Sequence, residues 1–408
     1  MVGAGMAGLA AARALTDAGL PVVLFERGER IGGRVLSLEL GDGVVEAGAS
    51  HVWSFYRRTK WWLDRCGLTA SLRPAPGRAP SPVSLGDLPG IARAALDVAW
   101  GWRRLAFERP ERAAGLDTDS IAGYAARRLG AGFVDAALRP AFEWNAFCGL
   151  DELSQVLLLQ AGRLYLGARP KVLAGGLSQL ALAMADGLEI RLGSAGHVQS
   201  LRHSSRGVVV ELASGASVDS RAVVIATPPA QAVELVDPGP ALRAFLGGIR
   251  HSRVTRAWWH LPAEAGDPGQ LLRSGSGAAP IVLVAARRGD LFKVAAVAYG
   301  AASAATRAGL DAPIGAGMED LAAGLLPELR HRPHLAEASF HWDHAVTLFG
   351  PGHFRQLAAL CPGRVGDAIA LAGDYLISPT VEGAIVSGER AANSIRSHIL
   401  GSVTGRAR

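Results

Sequence analysis

The chain has 408 residues, 49% of them hydrophobic, which is enough for two domains with cores of their own. Its net charge of +6 comes from basic residues scattered singly and in pairs, a pattern that argues against nucleic-acid binding. Three widely spaced cysteines predict neither a disulfide framework nor a metal site, and no apolar run approaches the ~18–20 residues that cross a bilayer. We therefore expect a cytoplasmic protein, with peripheral contact to a membrane left open.

A glycine-rich turn opens the chain and precedes a helix and a strand. Gly3, Gly5 and Gly8 form a G-x-G-x-x-G pattern, an alanine-rich helical stretch follows, and the apolar strand 21–25 leads to the acid Glu26. Such glycines allow a tight turn and close approach of backbone amides to a pyrophosphate, while the acid can bind a ribose hydroxyl. The pattern predicts a dinucleotide site. Only two residues precede Gly3 where a strand needs about five, so we expect further residues upstream.

A second motif follows a few residues after the acid. Arg30, the pair Gly32-Gly33, Arg34 and Ser37 form the pattern R-x-G-G-R-x-x-S. At this point the chain resembles the superfamily of FAD flavoproteins that includes amine oxidases, protoporphyrinogen oxidases and phytoene desaturases. The resemblance implies FAD rather than NAD as the cofactor, and its arginines can meet phosphate charge through paired hydrogen bonds.

Residues 44–51 resemble the strand and turn in which this superfamily places an acid before a glycine beside the flavin. Glu46 and Gly48 occupy those positions. An ordinary turn residue is the alternative for Glu46, but the motif favours a position close to the cofactor. Further along, residues 73–89 are rich in Pro, Gly and Ser and predict a crossing into a second domain.

The segment from Gly90 to Phe107 has apolar residues at helical spacing and arginines on other faces. We interpret it as a surface helix of the second domain, and the alternative is a membrane-surface helix that admits a lipophilic substrate. Residues 120–154 predict one helix up to Leu129 and a second up to Pro140. The end of this segment is similar to the substrate domain of protoporphyrinogen oxidase-like proteins.

The middle of the chain predicts a return to the nucleotide domain, followed by a sheet. Residues 171–185 resemble the glycine pair and helix that lead back to the FAD domain, a hairpin follows over 207–218, and the buried strand 222–229 ends in A-T-P-P. Residues 250–261 and 280–298 then predict strands of the second domain.

Two blocks remain near the C-terminus. Residues 340–353 resemble a protoporphyrinogen oxidase segment, with His341 in place of its arginine and Thr347 in place of its proline. Gly373-Asp374 and the following E-G-A-x-x-S-G pattern resemble the C-terminal FAD motif of the superfamily, in which a new helix N-terminus faces the isoalloxazine. Together with the opening motif, this implies one FAD held by both ends of the chain. Since no cysteine lies near the motif, the FAD is expected to be non-covalent.

The resemblance also implies a fold, domain boundaries and cofactor contacts. The fold is α/β, with a Rossmann-type FAD-binding domain (GR2-like, of p-hydroxybenzoate hydroxylase-like topology) and a discontinuous α+β substrate domain. The FAD-binding parts span 1–72, 169–238 and 346–408, and the substrate parts span 73–168 and 239–345. The implied cofactor-binding residues are Gly3, Gly5, Met6, Ala7, Gly8, Glu26, Arg27, Gly32, Gly33, Arg34, Gly48, Ala49, Ser50, Val198, Ala226, Thr227, Gly373, Asp374, Val381, Glu382, Gly383 and Ala384.

Aromatic and imidazole side chains near these motifs are candidates for the substrate pocket. They are His51, Trp53, Trp144, Trp342 and Tyr375, and Tyr375 is the best placed because it directly follows the Gly-Asp pair. Core packing is the alternative for each. Residues 252–256 contain no lysine, which argues against the lysine-assisted type of amine oxidase.

We therefore expect an FAD-dependent oxidoreductase that dehydrogenates a largely apolar small molecule by hydride transfer to flavin N5, with O₂ as a candidate electron acceptor. The nearest branch is protoporphyrinogen oxidase-like. An isoprenoid or carotenoid desaturase, a hydroxysqualene dehydroxylase-like enzyme and a flavin amine oxidase are alternatives. The alternative outside enzymes is a flavin-free binding module like the GDP-dissociation inhibitors of this fold, against which the intact glycines, Glu26 and Arg34 argue.

Overall fold

The computed structural model of the protein describes residues 1–75, 85–165, 167–275, 280–307, 316–360 and 365–405. Positions 76–84, which belong to the predicted crossing over 73–89, lie outside these ranges. The helices are α1 Met6–Asp17, α2 Arg57–Arg65, α3 Leu88–Gly101, α4 Ile121–Arg128, α5 Ala131–Phe133, α6 Trp144–Ala146, α7 Gln155–Leu164, α8 Ser178–Ala185, α9 Pro229–Leu235, α10 Pro240–Gly248, α11 Ala301–Arg307, α12 Ala316–Leu325, α13 His353–Leu360 and α14 Val381–Gly405.

Strands occur throughout the chain and confirm a mixed helix-and-sheet protein. They are β1 Val23–Glu26, β2 Ser37–Leu40, β3 Gly43–Glu46, β4 Val52–Trp53, β5 Leu72–Pro74, β6 Pro170–Leu173, β7 Glu189–Leu192, β8 Val198–Ser204, β9 Gly207–Leu212, β10 Ser217–Ser220, β11 Val223–Ile225, β12 Arg250–His251, β13 Val254–Pro262, β14 Leu271–Gly275, β15 Ile281–Arg288, β16 Leu291–Tyr299, β17 Ala336–Trp342, β18 Thr347–Leu348 and β19 Ile369–Leu371. The predicted hairpin over 207–218 is β9–β10.

Short parallel strands meet at the N-terminal glycine turn. β1 pairs with β7, β11 pairs with β19, and Val2 bridges Phe25 of β1 and Ile225 of β11. Successive strand residues point to opposite faces. Leu24 therefore packs against the core that α1, α8 and α14 build, while Phe25 packs against the core that includes β8 and β9. Helices cover one face of these parallel strands and a small antiparallel sheet covers the other.

A second, antiparallel sheet has the strand order β14-β15-β16-β13-β17. One face of β13 carries Ala257, Trp259 and Leu261, which are fully buried in a core shared with α11 and α12. The alternate residues Arg256 and Trp258 point to the hairpin β2–β3 on the other face. The alternation along β13 thus directs one arginine towards the hairpin β2–β3 and the loop that follows it.

Helices α3, α4 and α7 pack together in a third part of the structure. The prediction that a helix ends at Pro140 is wrong: a π-helix runs from Val134 to Glu143 and contains Pro140. Its hydrogen bonds span five residues rather than four, so a proline inside it changes the geometry but does not end the helix. In the described part of the chain, no helix is both long enough and apolar enough to cross a membrane.

Candidate cofactor and active site

Two glycines at the N-terminal turn, Gly3 and Gly33, lie too close to neighbouring backbone to carry a side chain. Gly3 has φ +99°, and a Cβ atom placed on it would lie 2.7 Å from the carbonyl oxygen of Ala226. A Cβ on Gly33 would lie 3.0 Å from the Cα of Gly5. Gly5 precedes α1 and gives that helix no side-chain cap, so the first-turn amides of α1, including those of Met6 and Ala7, are available to an anion. The backbone here forms a cradle that fits a pyrophosphate.

Glu26 lies at the carboxyl end of β1, beside this cradle. Its carboxylate accepts hydrogen bonds from the amides of Ala4 (2.9 Å) and Gly28 (2.8 Å). These two bonds fix the carboxylate while leaving lone pairs on both oxygens for ribose hydroxyls. The neighbouring Arg27 side chain is exposed, whereas Val198, also predicted to contact the cofactor, is buried at the start of β8.

The two ends of the chain meet at an ion pair. Arg34 Nη2 lies 2.6 Å from Asp374 Oδ1, and Asp374 is 5% exposed. The Thr347 hydroxyl donates to Asp374 Oδ2 (2.8 Å) and accepts from Arg34 Nη1 (3.1 Å), which closes a triangle of three side chains. The backbone amide of Tyr375 also donates to Asp374 (3.0 Å). Thr347, noted in the sequence only as a departure from a family pattern, is therefore a positioning residue of this site.

The loop after β3 lies against the same arginine. Gly48 and Ala49 donate backbone hydrogen bonds to Leu36 and to Arg34 (both 3.0 Å), and a Cβ on Gly48 would overlap the Arg34 carbonyl. The loop Gly48–His51 therefore runs beside the glycine pair and the ion pair. Its backbone is packed too closely for any larger residue at position 48.

The carboxylates of two acids in the predicted motifs are hydrogen-bonded to other protein groups. Glu46 accepts from the Ser37 hydroxyl (2.8 Å) and the Leu177 amide (2.7 Å), and burial raises the pKa of its carboxyl group. It therefore ties the β2–β3 hairpin to the start of α8, and its expected position close to the cofactor stays a prediction.

Glu382 accepts from the amides of Arg58 (2.8 Å) and Thr59 (2.7 Å) and from the Thr59 hydroxyl (2.7 Å). These groups lie in the first turn of α2, so the carboxylate caps α2 from α14. The expected cofactor contact of Glu382, like that of Val381, Gly383 and Ala384, is through the backbone at the start of α14, and it stays a prediction.

Arg256 and His51 are reached by solvent although protein surrounds them on most sides. Arg256 Nη1 donates to the carbonyls of Glu46 (2.9 Å) and Gly48 (3.0 Å), and burial lowers its pKa to about 10. Burial, followed by the charge of Arg256, lowers the pKa of His51, whose Nδ1 lies 2.8 Å from Ser50 Oγ. We call the space that these two side chains line the recess. It carries a fixed cation and a neutral imidazole at pH 7.

Aromatic rings extend the wall of the recess away from His51. The Trp53 ring lies 6.4 Å from the His51 ring and 4.6 Å from that of Tyr165, and Phe55 lies 4.8 Å from Tyr165. Tyr165 is 37% exposed, yet the surrounding protein raises its pKa to about 12. Trp53, Phe55 and Tyr165 thus form one aromatic cluster next to His51, and solvent reaches the Tyr165 ring. Phe55 and Tyr165 lay outside the sequence prediction because nothing in the sequence shows that the end of α7 meets the loop after β4.

The other predicted pocket residues lie elsewhere around this loop. Trp342 Nε1 donates to the carbonyl of Ala47 (2.7 Å), which joins β17 to the loop after β3. Trp144 is half-buried and packs with Phe147, whose ring lies 5.6 Å from the Arg256 guanidinium. Tyr375 is 1% exposed and packs within the core beneath the parallel strands. The structure therefore corrects the expectation that Tyr375 lines the substrate pocket.

The sequence model of a family described as flavin containing amine oxidoreductase matches residues 6–255. A flavin-dependent L-tryptophan oxidase from Lentzea aerocolonigenes is 38% identical over 77 residues, which are 18% of this chain and only 16% of the length of that relative. The chain thus spans a small part of this curated relative.

Solved structures match over almost the whole chain. Cyclohexylamine oxidase from Brevibacterium oxydans IH-35A has a TM-score of 0.75 at 19% identity and covers 98% of both chains. A candidate protoporphyrinogen oxidase from Exiguobacterium sp. 255-15 has a TM-score of 0.72 at 16% identity, and the match covers 97% of this chain and 98% of that protein. At these identities the likeness shows a shared fold.

Proposed function

Since this chain belongs to the family of flavin-containing amine oxidoreductases, which use FAD, we propose that it is an FAD-dependent oxidoreductase that dehydrogenates a largely apolar small molecule in the manner of protoporphyrinogen oxidases. The observation that carries the proposal is the composition of the recess. Its wall is aromatic, formed by Trp53, Phe55 and Tyr165, and its charged group is the cation Arg256. An apolar ring system is stabilised when it leaves water and packs against such a wall.

The residues at the cradle and the ion pair fit FAD. The amides that begin α1 would bind the pyrophosphate, Glu26 a ribose, and Arg34 with Asp374 the phosphate and ribityl side. We further propose that β7, β1, Val2, β11 and β19 form a Rossmann-type sheet, of the GR2-like topology, within the discontinuous FAD-binding parts 1–72, 169–238 and 346–408. Residues 73–168 and 239–345 would then supply the substrate side.

Bound FAD would supply the redox chemistry by accepting a hydride from a substrate C–H bond. The side chains of this chain orient the substrate and exclude water, which is the work of the aromatic wall. Arg256 keeps its proton at neutral pH because its pKa is about 10, so it holds positive charge in the recess. His51 is neutral at pH 7, since burial lowers its pKa, and it can exchange a proton with a substrate heteroatom.

The charge of the recess favours neutral or anionic substrates over ammonium ions. Arg256 would repel a protonated amine, and Glu46, the nearest acid that we identified, is already hydrogen-bonded to Ser37 and Leu177. An amine oxidase stays the second candidate, supported by the fold shared with cyclohexylamine oxidase. An isoprenoid or carotenoid desaturase fits the aromatic wall equally well.

Anaerobic reduction of the bound flavin tests the proposal. We expect porphyrinogens or polyprenes to bleach the flavin absorbance of the purified protein faster than primary or secondary amines do. Bleaching by amines alone would replace our ordering with the amine oxidase assignment. A colourless protein that gains no flavin absorbance with added FAD would overturn the enzyme assignment itself. Admitting air after reduction then measures whether O₂ accepts the electrons.

A further inference from the structure

Helix α3 presents one apolar face to the rest of the protein and another to solvent. Its inward face carries Ala94 and Val98, which pack against a core shared with α7, and Gly90 and Gly101, which allow close approach to neighbouring backbone and side chains. These positions recur every three to four residues, as expected for one side of a helix. The inward face alone accounts for the packing of α3 in the fold.

The outward face is more apolar than a surface helix requires. Leu96 is 69% exposed and Trp100 is 71% exposed, and they lie one turn apart. Leu88, at the start of the helix, is 50% exposed, and the exposed residues that follow it include Ala92, Ala95 and Ala99. Trp102 follows the last residue of α3 and packs against the Arg163 guanidinium of α7 (4.8 Å), so it lies outside this surface. We call the set formed by Leu88, Ala92, Ala95, Leu96, Ala99 and Trp100 the outer face of α3; single exposed leucines are common on proteins, but a continuous apolar face of this kind is not.

Basic side chains border the outer face of α3. Arg93, Arg103 and Arg104 are exposed, and the Arg104 guanidinium lies 4.9 Å from the centre of the Trp100 ring. Among the described residues, no acidic side chain forms an ion pair with these three arginines. The acidic residue of α3, Asp97, accepts a hydrogen bond from the Tyr124 hydroxyl (2.7 Å) on the inward side.

We propose that the outer face of α3 docks on the surface of an anionic lipid bilayer. Leu96 and Trp100 would enter the boundary between headgroups and acyl chains, and the arginines would meet lipid phosphates. The helix is about 21 Å long at 1.5 Å per residue, so it would lie along the surface. A symmetric contact between two copies of this face is less favourable, because it would bring two sets of unpaired arginines together.

Sedimentation with lipid vesicles tests the proposal on the FAD-loaded protein. The probes are vesicles of phosphatidylcholine alone and of three parts phosphatidylcholine to one part phosphatidylglycerol. We expect binding to the mixed vesicles, a much weaker binding to the neutral ones, and a loss of binding at high salt. Each arginine near an anionic surface contributes roughly fivefold to the partition coefficient, so Arg93→Ser with Arg103→Ser should lower it about 25-fold.

Paired variants separate the outer face of α3 from apolar surface in general. Leu96→Gln with Trp100→Gln should lower the partition coefficient at least about tenfold. The matched control is Leu182→Gln with Trp61→Gln, since these side chains are 61% and 41% exposed on α8 and α2, which pack against each other. The control pair should bind as the unchanged protein does. Flavin absorbance and melting temperature confirm that each variant is folded.

Three results would overturn the proposal. The unchanged protein could fail to sediment with either vesicle, or bind both equally. The Leu96 and Trp100 pair could bind like the control pair, which would assign the binding to another surface. Sedimentation equilibrium without lipid could show a dimer that the Leu96 and Trp100 variants abolish, and this would assign the outer face of α3 to a second copy of the chain.

Discussion

The clearest test of the site geometry is Glu382→Gln, because the structure gives the side chain of this predicted cofactor-binding residue a structural partner. The motif implies that the helix N-terminus at Glu382 faces the cofactor, and the structure directs the carboxylate to the first turn of α2. Glu382 is 2% exposed, and its two oxygens accept from the amides of Arg58 and Thr59 and from the Thr59 hydroxyl. A glutamine has nearly the same shape but only one acceptor oxygen and no charge.

The cost of the change follows from these contacts. If the amide oxygen keeps the two bonds to Thr59, the amide nitrogen faces the N–H of Arg58, so one charge-assisted bond is lost and two donors meet. Such a loss costs about 2–3 kcal/mol in the free energy of unfolding. For domains of ordinary size 1 kcal/mol moves the melting temperature by a few degrees, so we expect a fall of roughly 5 °C.

Denaturation at several FAD concentrations distinguishes the two assignments. If Glu382 stabilises the protein, the free energy of unfolding falls by the same amount at every FAD concentration, because the ligand contribution depends only on its own Kd. If the curves instead meet at low FAD and the Kd has risen, the side chain serves the cofactor and our assignment is refuted. Glu389→Gln is the matched control on the same helix. Its carboxylate accepts from Arg58, which is partly exposed, and from the Trp62 indole N–H (2.9 Å), and the glutamine oxygen can still accept from Trp62, so a loss of at most about 1 kcal/mol is expected.

Three further changes test other parts of the site. Thr347→Val leaves Arg34 and Asp374 without their shared hydroxyl, so the Kd for FAD should rise about tenfold in a fluorescence titration, and an unchanged Kd would contradict the role of Thr347. Tyr165→Ala should raise KM about tenfold with little change in kcat, whereas Tyr165→Phe should behave like the unchanged enzyme; equal effects would point to the hydroxyl instead. Burial lowers the pKa of His353 to about 4, below its unfolded value near 6.5, so the unfolded chain binds a proton that the folded chain does not, and the protein loses stability as the pH is lowered. From pH 7 to pH 5 the free energy of unfolding, measured with urea, should therefore fall by about 2 kcal/mol less in His353→Gln than in the unchanged protein. Parallel pH profiles of the two proteins would contradict this.

The local features of the cofactor site could be predicted from the sequence because backbone geometry dictates them. Backbone that approaches as closely as it does at Gly3 needs glycine, and a strand that ends in an acid is recognisable from the local sequence. The structure brings Gly3, Gly33 and Gly48 close to neighbouring backbone as that logic requires. The same local logic fails at Pro140, where a π-helix continues through a residue that ends ordinary helices.

Side-chain targets could not be predicted, because they depend on elements distant in sequence. Glu382 caps a helix more than 320 positions earlier, and no local pattern indicates that contact. Tyr375 follows the Gly-Asp pair, but the chain turns there into a short 3-10 helix that directs the ring into the core. Conversely, Phe55 and Tyr165 meet only because α7 ends beside the loop after β4.

The charge of the recess decides how far the shared fold can be extended to a shared substrate. In several amine oxidases a lysine lies at a flavin-bound water, and the corresponding strand here offers Arg256, held by two backbone carbonyls. An ammonium ion 4 Å from this guanidinium would be repelled by about 1–4 kcal/mol, depending on how much water remains, which is roughly a fivefold to thousandfold loss of affinity. A neutral apolar substrate avoids that cost altogether. An amine substrate would have to bind in its deprotonated form, and its apparent affinity would then rise with pH towards the pKa of the amine, a dependence that an apolar substrate does not show.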